Sequence, residues 1–199
     1  MEVAELLNRL ESNQPEIVEE SKKTFRETFL TTKESWLVNG LFDYYLQTNS
    51  TRSVEILVGV REPHDKHLFD RLSDALKGST KLQALTLLGH IVRRHPAWIY
   101  KIAQHTLLKE LLKLLKVEID ILPLMSALLI LIILLPMIPA LIGSYLQDIF
   151  EVFSRLAAWN TNNPNKNCRR IHYVASSGWI VCIISSLDMG CSHATFCIT

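Results

Sequence analysis

Cysteine is absent from residues 1–167, and all four cysteines (Cys168, Cys182, Cys191 and Cys197) fall within the last 32 positions. The body of the chain therefore cannot rest on disulfides, and no Cys-x-x-Cys pair or zinc-site spacing occurs. Glycine and proline are scarce, at seven each, and no Ser- or Pro-rich linker interrupts the first 158 residues, which read as one domain. An excess of charge is also lacking. A net charge of +1 supplies no global field toward nucleic acid, and no aromatic residues interleave with cations to stack bases. The opening MEVAELLNRLESNQPE carries acids where a secretory leader needs a basic start and then an apolar run, so a reducing, cytosolic setting is expected. No G-x-S-x-G, HExxH or phosphate-cradling glycine loop occurs. No enzyme activity, cofactor or metal is therefore expected.

Helical periodicity dominates what is present. Val3, Leu6, Leu7 and Leu10 mark a first helix over 2–10. Pro15, suited to a first turn, opens a second over 15–30 with an apolar stripe of Ile17, Val18, Phe25 and Phe29. Further helices are predicted at 35–47, 51–60, 63–77, 80–94, 97–104, 106–117, 121–135 and 141–158, with Gly78 as a C-cap. The connections are short, as antiparallel helix pairs require, and no stretch alternates long enough for a strand.

A weak internal repeat points to stacked pairs. An offset of 43 residues aligns Ala84-Leu85 with Ala127-Leu128, Leu88 with Leu131, and Pro96-Ala97 with Pro139-Ala140. It also aligns Ile99 with Ile142 and Gln104 with Gln147. That period lies within the range of about 40–47 residues of HEAT and armadillo units. The expected fold is all-α, a right-handed α-solenoid of antiparallel helix pairs (HEAT/armadillo-like), over residues 1–160.

Residues 121–142, ILPLMSALLILIILLPMIPALI, carry no charge and are long enough to cross a bilayer, which needs about 20 apolar residues. Pro136 and Pro139 cut the run, however, leaving a helix over 123–135 of about 20 Å at 1.5 Å per residue, short of the ~30 Å hydrocarbon core. We read it as a central buried helix, with Leu128, Leu131, Ile132 and Leu135 in the core. A membrane span is the alternative.

Two polar constellations remain. In EPHDKHLFDRL, His64, His67, Asp65 and Asp70 could suggest metal ligands, but too few converge. The segment reads instead as a helix start with Pro63 in its first turn, Asp65 near its N-terminus and Leu68, Phe69 and Leu72 facing inward. Basic residues gather farther on. Arg93 and Arg94 end one helix, Lys101 follows, and Lys109, Lys113 and Lys116 recur at i, i+4, i+7. They form a candidate surface for anionic lipid head groups or an acidic partner, set against the reading of a solvated helix face.

LFDYYLQTNS (41–50), REPHDKHLFDRL (61–72), LTLLGHIVRRHPAW (85–98), LLKLLK (111–116) and LLPMIP (134–139) resemble the hamartin family in content and order, from about residue 2 to about 160. The resemblance implies a HEAT-like N-terminal domain of a non-catalytic scaffold subunit. In that family the subunit stabilises tuberin, whose complex activates GTP hydrolysis by Rheb and negatively regulates TOR signalling. It also implies a cytoplasmic protein with peripheral association to the lysosomal membrane and phosphoinositide contacts. The coiled coil through which the family holds tuberin is expected to lie beyond residue 199.

Residues 161–174 read as a polar linker. From Ala175 the composition breaks: ASSGWIVCIISSLDMGCSHATFCIT has one acid, no Lys or Arg, and three of the four cysteines. Back-translating Val181 to Phe196 and shifting two bases yields VYHLFIGYGMFPCNF, similar to the family's continuation. Residues 175–199 are therefore expected to be a frameshifted, non-family tail.

Overall fold

A computed structural model of the chain describes residues 3–32, 35–60, 62 and 64–159. Pro63 and the linker and tail assigned to 161–174 and 175–199 lie outside the described residues. Within the described residues the fold is all-α, with ten helices and no strand. They are α1 (Val3–Leu10), α2 (Pro15–Thr31), α3 (Trp36–Thr48), α4 (Thr51–Leu57), α5 (His64–Ala75), α6 (Lys81–Arg94), α7 (Ile99–Gln104), α8 (Thr106–Val117), α9 (Ile121–Leu134) and α10 (Pro139–Trp159). Two 3₁₀ turns, Pro96–Trp98 and Leu135–Met137, precede α7 and follow α9.

The chain divides into two compact units, Met1–Arg94 and the part from His95 onward. In the first, α1 packs on α2 and α3, α2 on α4, α3 on α4 and α5, and α5 on α6. Its core is built from the expected stripes: Leu6 and Leu10, then Val18, Phe25 and Phe29, then Leu68, Phe69 and Leu72, all buried. A Cβ at Gly40 would come within 2.9 Å of the Val3 side chain, so the absence of a side chain there permits the close approach of α1 to α3. In the second unit α8 is central and packs on α7, α9 and α10.

Local chemistry explains most helix ends. Pro15 and Glu16 open α2, a residue without an N–H followed by an acid at the positive end of the helix. Asn49 closes α3 in the left-handed conformation, φ 55°, with its N–H donating to the Tyr45 carbonyl at 2.8 Å. Asn is among the few side chains that tolerate this geometry. The expected cap at Gly78 is corrected: α5 ends at Ala75, and Gly78 donates to the Ala75 carbonyl in a following turn without adopting a left-handed φ.

The apolar run behaves as a helix broken by proline. α9 stops at Leu134, Pro136 lies in the 3₁₀ turn, and α10 begins at Pro139, two residues before the expected start. Among the described residues no helix is long and apolar enough to cross a membrane, so the span alternative at 121–142 does not hold. Leu128, Leu131 and Leu135 are fully buried as expected, but Ile132 is only half-buried. At an offset of 43, six of the seven buried positions of α6 fall on buried positions in α9 or the turn after it, and Gly89 falls on the half-buried Ile132. The helix bounds themselves recur at 40, Lys81 to Ile121 and Arg94 to Leu134. The buried face is thus kept in register while the helix ends slip by about one turn.

Candidate functional site

Helix α8 carries the lysine stripe because its sequence, TLLKELLKLLKV, puts six leucines on one face and cations on the other. Its first turn is capped by His105, whose Nδ1 accepts the Leu107 N–H at 3.1 Å. Lys109 is exposed and forms no ion pair among the described residues. Lys113 is exposed and pairs with Glu110 at 2.8 Å on the same helix. Lys116 is not part of an open face. It reaches Asp148 at 2.6 Å and also Glu151, both on α10. Hydrogen bonds to these acids, Asp148 first, hold its ammonium above the usual lysine range, and Lys116 in turn holds the Glu151 carboxyl low.

Arg155 completes the seam between α8 and α10. Its Nη1 donates to the Leu115 carbonyl at 2.6 Å and its Nη2 to the Glu118 carbonyl, satisfying acceptors that the end of α8 leaves open. Glu118 is 6% exposed, and its Oε1 accepts the N–H groups of Ile119 and Asp120 at 3.0 and 2.9 Å. Sequence reading missed this, because Lys116 and its acids lie 32 residues or more apart and no local pattern pairs them.

The other basic candidates sit elsewhere. Arg93 and Arg94 end α6 in the first unit, exposed and without an ion pair among the described residues. Arg94 lines a cleft of about 200 Å³ with Tyr45, Asn49, Thr51, Val54, Glu55, Thr86 and His90. Tyr45 donates its hydroxyl to the Gln83 carbonyl at 2.8 Å, and burial pushes its phenol up to about 12. His90 is held below its ordinary value by desolvation first, then by Arg93 and Arg94. Glu55 already pairs with Lys22 at 2.7 Å. Lys101, on α7 in the second unit, is half-buried and already engaged. The six basic residues are thus divided: Arg93 and Arg94 in one unit, Lys101, Lys109, Lys113 and Lys116 in the other.

The histidine-rich segment is structural. His64 is fully buried against Phe29, and its Nε2 lies 2.7 Å from the Thr32 carbonyl. That carbonyl can only accept, so Nε2 carries the proton. Among the described residues no group of three His, Cys, Asp or Glu could hold a metal ion.

Ten helices, with charged groups given to helix ends, interhelix seams and surface, place the described residues in the all-α class. The chain belongs to the hamartin family: the sequence model of the hamartin N-terminal domain matches residues 3–177. Hamartins of mouse, rat and human are each 41% identical to it over 163 residues. That stretch is 81% of this chain but only 14% of each relative, so the chain spans about one seventh of their length.

Proposed function

We propose that this chain acts as the N-terminal, non-catalytic part of a scaffold subunit of the hamartin type. In this reading its helices stack as a right-handed solenoid of HEAT-like pairs. The subunit stabilises tuberin in the complex that activates Rheb GTP hydrolysis and restrains TOR signalling. The observation that carries the reading is the family match over residues 3–177. The recurrence of the α6 buried face in α9 supports the solenoid. The test is a chimera in cells lacking hamartin, in which residues 3–177 replace the matching segment of a full-length relative. Restored tuberin levels and TOR restraint are expected, and a folded chimera that restores neither would refute the reading.

Arg93, Arg94, Lys101, Lys109, Lys113 and Lys116 are proposed as the basic groups for an acidic partner or phosphoinositide head groups, at the cytoplasmic face of the lysosomal membrane. Arg93, Arg94 and Lys109 carry most of that role, because each is exposed without a carboxylate partner among the described residues. Reversing these three to Glu should abolish flotation with vesicles containing phosphatidylinositol phosphates, and unchanged flotation would remove the idea. We further propose that residues 161–174 are a linker and that 175–199 derive from a shifted reading frame. The family match runs through 161–174 and ends at residue 177, close to the composition break at Ala175 that carries the frame-shift reading. In-frame transcripts, with peptides from the tail detected in cells, would overturn it.

A further inference from the structure

Thr86, His90 and Arg94 recur every four residues along α6 and therefore share one face. That face lines the cleft of about 200 Å³ together with Asn49 and Thr51, where α3 ends and α4 begins, and Glu55 on α4. Its polar groups divide into those already committed and those left over. The Tyr45 hydroxyl donates to the Gln83 carbonyl, the Thr86 hydroxyl donates to the Leu82 carbonyl at 2.9 Å, and the Glu55 carboxylate is held by Lys22. The His90 ring, the Asn49 amide and the Arg94 guanidinium form no hydrogen bond or ion pair among the described residues. Three kinds of donor are thus left over on the walls of one small cavity.

Charge and size select the ligand. Arg93 and Arg94 both act on His90, while Glu55, the acid on the wall, is already paired with its lysine. The charge of the two arginines therefore suits a phosphate monoester, which carries about −1.5 to −2 near neutral pH. Donors on two sides of a cleft also suit a tetrahedral group better than a planar carboxylate, which a single arginine can satisfy in a fork. The cleft is smaller than the roughly 300–1,000 Å³ of ligand pockets, so it takes the phosphate group and not the whole molecule that bears it.

We propose that this cleft holds one phosphate group between Arg94 and Asn49, and that His90 makes the hold proton-dependent by closing on the phosphate as an imidazolium. The proposal rests on the reading that Arg93 and Arg94 meet phosphoinositide head groups, and adds a switch to it. In the free chain, desolvation first and then Arg93 and Arg94 keep His90 below its ordinary value, so the ring is neutral near neutral pH. A bound dianion offsets the field of the arginines and favours the charged ring. The other groups near the ring do not oppose this. Tyr45 on α3 stays protonated, Glu55 on α4 is paired with Lys22, and among the described residues no group on α5, which also packs on α6, acts on His90. Binding therefore takes up a proton. Affinity rises as pH falls through the raised value of the occupied site and levels off below the lowered value of the free one.

Nuclear magnetic resonance of the full chain titrated with sulfate tests this, because sulfate keeps its charge across the pH range and isolates the protein's own proton. The His90 ring and Arg94 should shift together and saturably, and affinity should tighten about tenfold between about pH 8 and about pH 5. Arg94→Gln should weaken sulfate binding at every pH. His90→Gln should bind at about pH 8 like the unaltered chain and lose the pH dependence, with the helical spectrum unchanged. Shifts that never saturate, or that spread over surface cations without His90, show an adventitious ion only and overturn the proposal. So does an affinity flat with pH, or a pH dependence that survives His90→Gln. Flotation with phosphoinositide vesicles that persists in those cases leaves the head-group reading standing. Glycerol phosphate and phosphoinositide vesicles separate the sources. Displacement of sulfate by both assigns the cleft to head groups, displacement by the soluble ester alone assigns it to free phosphate compounds, and displacement by neither overturns the phosphate assignment.

Discussion

Each unit closes the C-terminal end of an early helix with an arginine from a helix some 40 residues later, and the two do so differently. In the first unit Arg52, on α4, uses a single nitrogen, Nη1, for the carbonyls of Leu10 and Ser12 at 2.7 and 3.0 Å. In the second, Arg155 uses both terminal nitrogens of its guanidinium, one for each carbonyl. The neighbouring acids differ as well. Glu11 stands 3.9 Å from Arg52 and remains wet, whereas Glu118 is buried and turned into its own backbone. Burial also lowers the Arg155 guanidinium from its ordinary value. The same device thus stands beside a solvated acid in one unit and a buried acid in the other. A hydrogen bond to a charged group contributes most where water cannot replace it.

The largest expected effects set the scale against which the two clamps compare. Leu88→Asp in the first unit and Leu131→Asp in the second each bury an unpaired charge. Each should cost several kcal/mol, comparable with the net stability of a domain. Thermal melts showing no change for Leu131→Asp would refute its burial. Next, Arg155→Ala should cost about 2–3 kcal/mol by denaturant titration and Arg52→Ala about 1 kcal/mol, because the former also removes the cation beside the buried Glu118. The conservative change separates them further. Arg52→Lys should retain most of its stability, since one nitrogen does the work, whereas Arg155→Lys should behave much like Arg155→Ala. Equal losses for the two lysine variants would erase the distinction.

A smaller effect concerns the seam beside Arg155. Glu151 titrates below its usual value in the folded chain, so its contribution is present above about pH 4.5 and is lost as pH falls through the lowered value. Lys116 titrates above its usual value, so its contribution holds below about pH 10.5 and is lost as pH rises through the raised one. Lys116→Met should flatten both limbs of the stability profile, and unchanged limbs would show that the pair does not couple to folding. Smallest of all, Ser53→Ala should be neutral or slightly stabilising in melts, because the Ser53 hydroxyl is buried without a hydrogen-bond partner among the described residues.

Much of the fold was legible because the relevant signals are local. Pro15, the leucine spacing of α8 and the prolines after α9 act within a turn or two, and the helix bounds read from them fall within a few residues of those observed. The 43-residue repeat was legible for the same reason, since burial imposes one face on both α6 and α9. The charged groups were harder to interpret. Lys109, Lys113 and Lys116 look equivalent along the helix, but the fold brings Asp148 and Glu151 to only one of them. His64 resembles a ligand by its neighbours in sequence, yet its partner is a carbonyl 32 residues earlier. Gly78 looked like a cap, but α5 had already ended at Ala75.

The distance along the chain between each arginine and the carbonyls it serves has a consequence for synthesis. At about 5–20 residues per second, the 40 residues from Leu115 to Arg155 take about 2–8 s to translate. During that interval the end of α8 exists without its clamp, and so does the turn bearing Val117, Ile119 and Leu122. The first unit passes through the same interval between Leu10 and Arg52, 42 residues later, but what it leaves waiting is polar and readily hydrated. In the second unit a sticky aliphatic loop waits on a ribosome-bound chain.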